Sequence, residues 1–308
     1  MNKKTKKKIF EFLFVVIAVL GIFIYEEFIH NDEPKSTLEM RKDTNTEQTI
    51  NLTKNSNLKI YFIDVGQADC ILINNNQEYA LIDAGNNEDG KKLVAYLNEL
   101  GVHSFKYVIG THAHEDHIGG MDDVIKNFSI EHFYMPEVIT TTKTFEDVLD
   151  ALETKRIAFE TPEIDSTFSL AETKFQVIYV GDDKKDLNDS SIVLKLTYGN
   201  TTYLLTGDAT NKVEKQILDK NLKSDVLKVG HHGSQYSTHA QFLKAVSPKY
   251  AVIQVGKDNS YGHPKDVTVK KLESIGAKIY RTDKDGTIIL SSDGENISFE
   301  TVKTDTNG

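Results

Sequence analysis

Cysteine is almost missing from this sequence: Cys70 is the only one in 308 residues. That excludes a disulfide within the chain and every zinc site built on cysteine thiolates. An excess of basic charge is missing too. There are 36 Lys and Arg against 46 Asp and Glu, a formal charge of −10. Residues 1–56 hold nine Lys/Arg and eight Asp/Glu, so the remainder carries 27 against 38, or −11. Such a surface is no general binder of nucleic acid, and a polyanionic substrate would need a local metal or basic patch. Internal repeats and low-complexity tracts are also lacking. The length fits one large domain or two small ones, and 39% apolar residues suffice for a real core.

One long apolar run is present. "MNKKTKKK" supplies five lysines, and "FLFVVIAVLGIFIY" (Phe12–Tyr25) supplies fourteen uninterrupted apolar residues. Extended back through Glu11 to Ile9 it is seventeen long, the short end for spanning a bilayer. It ends in "EEFIHNDEP", with no small-residue cleavage site and no lipobox cysteine. The expectation is an uncleaved signal anchor over residues 1–30, lysines inside and the rest of the chain outside the cell. A secretory peptide cut at an unrecognised site is the alternative, and it exports the domain as well. Residues 31–56 are rich in Asn, Thr, Lys and Glu without apolar periodicity, the composition of a tether.

From Leu58 the pattern becomes that of a folded domain, taken as residues 57–308. "LKIYFIDV", "CILINNNQEYALID", "KYVIG", "IEHFYMP" and "FQVIYV" read as strands, the second as two strands around an Asn-rich turn. "GKKLVAYLNELGV" and "FEDVLDALETKRI" read as amphipathic helices, the first ending at Gly101. "SIVLKLTYGNTTYLLTGD" is a hairpin turned at Gly199-Asn200. "DVLKVG", "AVIQVG" and "KIYRT" are strands separated by helices near Thr238–Val246 and Asp266–Ile275, and "GTIILSSDGENISFETV" closes the chain as a hairpin. The expected class is α+β, with mixed sheets between helical layers.

The chemistry is concentrated in "IGTHAHEDHIGG", Ile109–Gly120. It follows a strand, so its side chains converge at a sheet edge. His112 and His114 can bind one ion together, while Asp116 and His117 can bind a second. Imidazole and carboxylate are ligands that zinc, manganese or iron accept. Gly119-Gly120 allow a tight turn into a helix near Met121. A loop whose histidines merely cap backbone groups fits this spacing poorly.

The H-x-H-x-D-H spacing resembles the signature of the metallo-β-lactamase fold superfamily. "IDVGQADCILI", "LIDAG", "NDSSIVLKLTYGNTTYLLTGDA", "LKVGHHGS" and "VIQVGKDNSYGHP" extend the likeness over nearly all of Leu58–Val302. Together they resemble the exported metallohydrolase domain of the ComEC-type DNA-uptake family. The resemblance implies an αββα sandwich and two divalent ions, Zn2+ or Mn2+. No multi-span channel accompanies the motifs, so the expectation is a hydrolase module on one anchor rather than a DNA transporter.

The resemblance also implies further site residues. Asp208, after the strand "TYLLTGD", matches the bridging carboxylate, and one of His231 and His232 should complete a metal site. The other faces substrate or a supporting partner. Asp83 in "LIDAG" matches an aspartate that orients the histidines. Many superfamily hydrolases carry another histidine before the bridging aspartate. Here "DLNDSS" stands instead, and Asn188, Asp189 or Ser190 fills the place, with Asp189 taken as the ligand. Oxygen donors there would shift preference from zinc toward manganese. His263 in "NSYGHP" is apt for holding a phosphate oxygen or protonating a leaving group. Ser234, Lys257 and Asn259 are expected near substrate, with Ser260 a weaker phosphate contact. His30, His103, His132 and His239 receive no role.

The resulting expectation is a membrane-anchored, extracellular hydrolase working through a metal-held hydroxide, with Asp116 and Asp208 orienting the water. DNA is the leading substrate, implied by the resemblance alone. The same centre suits choline or teichoic-acid phosphodiesters of the cell envelope, or acyl carbons in lactones and β-lactams. A DNA-binding competence accessory with a degenerate metal site is the alternative outside enzymology, favoured by "DLNDSS" and opposed by the retained ligands. No protein partner is inferable.

Overall fold

The structure is a computed structural model describing residues 58–303. The expected anchor and tether lie outside the described residues. Among the described residues no helix is long and apolar enough to cross a membrane.

Short alternating strands dominate. In chain order the first six are β1 (Leu58–Phe62), β2 (Ile71–Asn75), β3 (Glu78–Ile82), β4 (Ser104–Ile109), β5 (Ser129–Tyr134) and β6 (Phe159–Glu160). Then follow β7 (Thr167–Leu170), β8 (Thr173–Tyr179), β9 (Val193–Tyr198), β10 (Thr201–Leu205), β11 (Val226–Lys228), β12 (Tyr250–Ile253) and β13 (Lys278–Arg281). The last pair is β14 (Thr287–Ser292) and β15 (Ile297–Val302). They form two mixed sheets, ordered β15-β14-β1-β2-β3-β4-β5-β6 and β13-β12-β11-β10-β9-β8-β7.

Alternation decides which face meets which. Leu58, Ile60 and Phe62 of β1 and Ile71 and Ile73 of β2 point inward. They meet Phe175, Val177, Leu194, Leu196 and Tyr203 of the other sheet in one fully buried core. The opposite faces are buried as well. Leu204, Leu227 and Ala251 lie under Val213, Phe242, Leu243 and Leu272, which project from α5 (Asn211–Gln216), α6 (Ala240–Val246) and α7 (Asp266–Ser274). On the first sheet Leu72, Leu81, Val108 and Phe133 are buried on the outer face. There β3, β4 and β5 run parallel, joined by crossovers through α1 (Gly90–Glu99), α2 (Glu115–Ile118) and α3 (Met121–Asn127), before α4 (Lys143–Lys155) leads on to β6. The four layers are the expected αββα arrangement.

Local signals set the helix limits. Leu93 and Leu97 of α1 are buried one turn apart, and Gly101 at φ +77 stops the chain beyond it. Thr142 caps α4, its hydroxyl accepting from the Phe145 N–H at 3.3 Å. The sequence reading passed over β6, β7, α5 and α8 (Thr282–Asp285), all too short to show a period.

Candidate metal centre

The C-terminal ends of β1, β3, β4, β10, β11 and β12 deliver loops to one rim of the sandwich. They line an open cleft of about 1520 Å3 that includes His114, Asp116, Asn188, Asp208, His231, His232 and His263.

Each metal-facing nitrogen is selected by what holds the other side of its ring. His117 donates from Nδ1 to Asp83 Oδ2 at 2.8 Å, leaving Nε2 toward the cleft. The Asp83 carboxylate also accepts the Thr111 N–H and hydroxyl, each at 2.8 Å. His112 Nδ1 lies 3.2 Å from the Thr111 hydroxyl and 3.4 Å from that of Ser191, so its Nε2 is turned outward, 3.0 Å from His114 Nδ1. His232 donates from Nδ1 to the Gln254 carbonyl at 3.0 Å, and its Nε2 stands 3.2 Å from Asp116 Oδ2.

Asp208 sits between these groups. Its Oδ2 is 3.4 Å from His117 Nε2, 3.6 Å from His232 Nε2 and 3.8 Å from His231 Nε2. Asp116, His117, Asp208 and His232 each offer one ligand atom, all within 4.8 Å of one another. Asp208 Oδ1 is buried without a hydrogen-bond partner. Four donors aimed at one point, with a buried carboxylate oxygen unsatisfied, fit a divalent cation. The adjacent His112–His114 pair offers two nitrogens to a second.

Electrostatics agree. Burial alone would lower the His232 pKa, but Asp208 and Asp69 with the hydrogen bond to Asp116 raise it to about 10. His117 is likewise raised well above the usual range by Asp208, Asp83 and Asp116, against its burial. Desolvation opposes the charge on Asp208, yet the His232 and His117 imidazoles hold its carboxyl well below the ordinary range. Burial keeps His112 far below its usual value and lowers His114 as well. The carboxylates therefore stay ionised, and protons stand where cations would.

The backbone is bent to reach this arrangement. His231 and His232 are consecutive non-glycine residues in the left-handed region, at φ 52 and 51, and Asp83 is a third at φ 59. Each costs on the order of 1 kcal/mol or more, strain that clusters at functional sites.

Of the expected residues, the structure brings together His112, His114, Asp116, His117, Asp208 and His232, with Asp83 behind them. His232 completes the four-donor group, and His231 stands beside it, partly exposed. Asp189 is the correction. Its carboxylate accepts from the Thr210 hydroxyl and pairs with Lys212 at 3.1 Å, because the 3-10 turn Leu187–Ser190 points it toward α5. The Ser190 hydroxyl donates back to the Leu187 carbonyl at 2.6 Å. Asn188 lines the cleft instead, its Oδ1 buried without a hydrogen-bond partner. Ser234 is also displaced from its expected place, since its hydroxyl accepts the Tyr236 N–H at 3.3 Å within its own loop. Lys257, Asn259 and His263 do line the cleft.

Asp69 and Lys228 were missed. Both are fully buried, their ion pair is 2.5 Å long, and Asp69 Oδ1 lies 3.3 Å from His232 Nδ1. The available signal was a lysine inside the apolar strand "VLKV", which demands a buried partner.

Comparison with known proteins decides the family. The model of the metallo-beta-lactamase superfamily matches residues 63–257. The chain belongs to that superfamily. Among curated relatives it is 30% identical over 251 residues to ComE operon protein 3 of Bacillus subtilis, covering 75% of this chain and 32% of that protein. It is 31% identical over 231 residues to competence protein ComA of Neisseria gonorrhoeae, covering 73% and 31%. The chain thus spans about a third of the length of these competence proteins. Solved superfamily structures share the fold. The metallo-beta-lactamase fold protein YhfI of Bacillus subtilis has a TM-score of 0.53 at 12% identity, covering 77% of this chain and 100% of its own. Igni18, a metallo hydrolase of Ignicoccus hospitalis, has a TM-score of 0.50 at 17% identity, covering 76% and 98%.

Proposed function

We propose that this superfamily member is a metal-dependent phosphodiesterase acting on DNA outside the cell, held at the membrane by its N-terminal segment. The convergence of Asp116, His117, Asp208 and His232 within 4.8 Å, beside His112 and His114 in an open cleft, carries this reading. The motifs that resemble the DNA-uptake family support DNA as the substrate. The five lysines before the apolar run support the anchor and its orientation.

When bound, divalent ions would lower the pKa of water and neutralise charge on a phosphoryl group. The chain's own groups do the rest. Asp208, with Asp116, His117 and His232, would hold the metal, and the Asp116 and Asp208 carboxylates would accept hydrogen bonds from the attacking water and so orient it. Asp83 and the Gln254 carbonyl hold His117 and His232 in the ligand tautomer. His263 is pushed down to about 4, by burial first and then by His231 and His232. It is therefore neutral at pH 7 and suited to donate a hydrogen bond to a phosphate oxygen rather than a full proton. The oxygen donors Asp116, Asn188 and Asp208 favour manganese over zinc.

The cleft also fits local engagement of a strand rather than duplex tracking. Asp64, Glu88, Asp89, Glu115 and Asp283 line it together with Lys92, Lys257, Lys284 and Lys303, a mixed rim on which phosphates are held only locally, beside a lysine or a bound metal. The test is incubation of the purified chain, with Mn2+ or Zn2+, with end-labelled single- and double-stranded DNA, glycerophosphocholine and a cephalosporin. Metal-dependent DNA cleavage, lost in Asp208→Ala, is the expected result. Turnover of glycerophosphocholine alone moves the activity to envelope esters, and cephalosporin opening moves it to acyl transfer. No turnover with metal bound leaves the binding accessory.

A further inference from the structure

The two most exposed large apolar or aromatic side chains among the described residues are Tyr236 and Tyr261, at 65% and 64%. Both belong to loops that carry site histidines. Tyr261 lines the cleft, and its mounting is rigid. Its ring lies nearly parallel to His263, with centroids 5.8 Å apart and planes inclined by 20°. The His263 ring in turn meets His231 edge-on at 5.7 Å. Asn259 locks the turn between them. It donates from Nδ2 to the Gly256 and His263 carbonyls at 2.9 and 2.7 Å and accepts the His263 N–H at 2.9 Å. Lys265 donates to the Tyr261 carbonyl at 2.6 Å.

An aromatic side chain left this exposed forgoes the burial that stabilises most tyrosines. Here the ring is aligned by an offset histidine while most of its surface stays open to solvent. We propose that Tyr261 is a stacking platform for a nucleobase, making this cleft selective for unpaired, base-bearing strands over other phosphodiesters. The inference rests on the phosphodiesterase reading and adds to it the recognition of the base. A base within a duplex has no free face to offer, whereas a single strand presents one at each nucleotide. Lys257, in the same loop as Tyr261 and lining the same cleft, adds a cation for the phosphate beside a stacked base.

The test compares two oligonucleotides of equal length with Mn2+: a thymidine strand and the same strand with abasic sugars, so that the phosphates are identical. The full-length chain should show a KM for the thymidine strand about tenfold lower, a factor of the size that one base–aromatic stack supplies. Tyr261→Ala should erase that preference, chiefly through KM, and Tyr261→Phe should retain it. Far-ultraviolet circular dichroism checks that the variants are folded. Equal loss on both strands in Tyr261→Ala, or no preference in the unaltered chain, overturns the platform while leaving the phosphodiesterase. Cleavage of neither strand overturns the DNA reading itself. Cleavage of glycerophosphocholine alone with the same Tyr261 dependence assigns the ring to a quaternary ammonium group and overturns the base.

Discussion

Thr111 accepts on one side of His112 and donates to Asp83 on the other, so a single hydroxyl fixes the two rings that follow it. The same economy makes Asn188 informative. It lines the cleft where Asp189 was expected to, and turns an unpartnered amide oxygen inward rather than an imidazole or carboxylate. Replacing it with imidazole, Asn188→His, should raise zinc affinity at the His112–His114 position about tenfold, while Asn188→Ala should weaken the second equivalent of metal. Calorimetric titration reads both, and isotherms identical to the unaltered protein would remove Asn188 from the ligand set. The titration of the histidines sets a second expectation. His232, held near 10, and His117, also raised well above the usual range, are protonated at pH 7 without metal and must be neutral as ligands. Metal uptake should therefore expel about two protons at pH 7 and strengthen as pH rises toward 10. Heats measured in buffers of different ionisation enthalpy check this, and equal heats would contradict it. At this scale His112, His114, Asp116 and His117 were legible because H-x-H-x-D-H places them after one strand, whereas Asp208 and His232 were legible only through the motifs that resemble the superfamily. The choice of Asn188 over Asp189 was not, because a 3-10 turn rotates neighbours by about a third of a revolution each.

Helices and loops decide whether those residues can meet. The turn from α2 into α3 presses Gly119 against the opposite loop. A Cβ there would lie 2.2 Å from the Asn86 carbonyl carbon and the Asn87 nitrogen. Both are backbone, so neither can swing aside. Gly119→Ala should cost about 3 kcal/mol and weaken metal binding, because α2 carries Asp116 and His117. Gly101 is the control. Its Cβ would meet nothing within 4 Å, and only its φ of +77 opposes a side chain, for a cost of about 1 kcal/mol. Urea unfolding measures the two, and equal losses would refute the packing explanation. The sequence made Gly119-Gly120 legible as a turn but not as a point of contact with residues 86–87, which lie more than thirty positions away. Long alternating or periodic segments such as β8, β9 and α4 were read correctly for the converse reason: their pattern is internal. The six-residue α5 and the two-residue β6 have too few turns or alternations to carry one.

Across the whole domain, both sheets contribute to a single buried core, so neither can lose its inner face alone. Unfolding by urea should follow one transition by circular dichroism and by tyrosine fluorescence, which no tryptophan obscures. Leu196→Ala, removing a fully buried side chain between the sheets, should lower stability by about 3 kcal/mol without splitting that transition. Separate midpoints for the two signals would show two independent units. The αββα order itself was legible from alternation and crossovers, together with the resemblance carried by the motifs. The −11 charge of the domain acquires its meaning only from the cleft, where carboxylates such as Asp116 and Asp208 gather around the metal positions.

Cys70 follows Asp69 on the rim, fully buried, its carbonyl taking the Ile63 N–H at 2.9 Å and the Gln254 amide at 2.9 Å. Burial, and then the charges of Asp83, Asp89 and Asp69, push its thiol well above the usual range. A reagent such as iodoacetamide can alkylate it only after this rim has opened, and the hydrogen bonds from Ile63 and Gln254 to the Cys70 carbonyl are among those that hold it closed. Because the same Gln254 steadies His232, the speed of that alkylation counts how often the hydrolytic rim comes undone, with no label introduced by mutation.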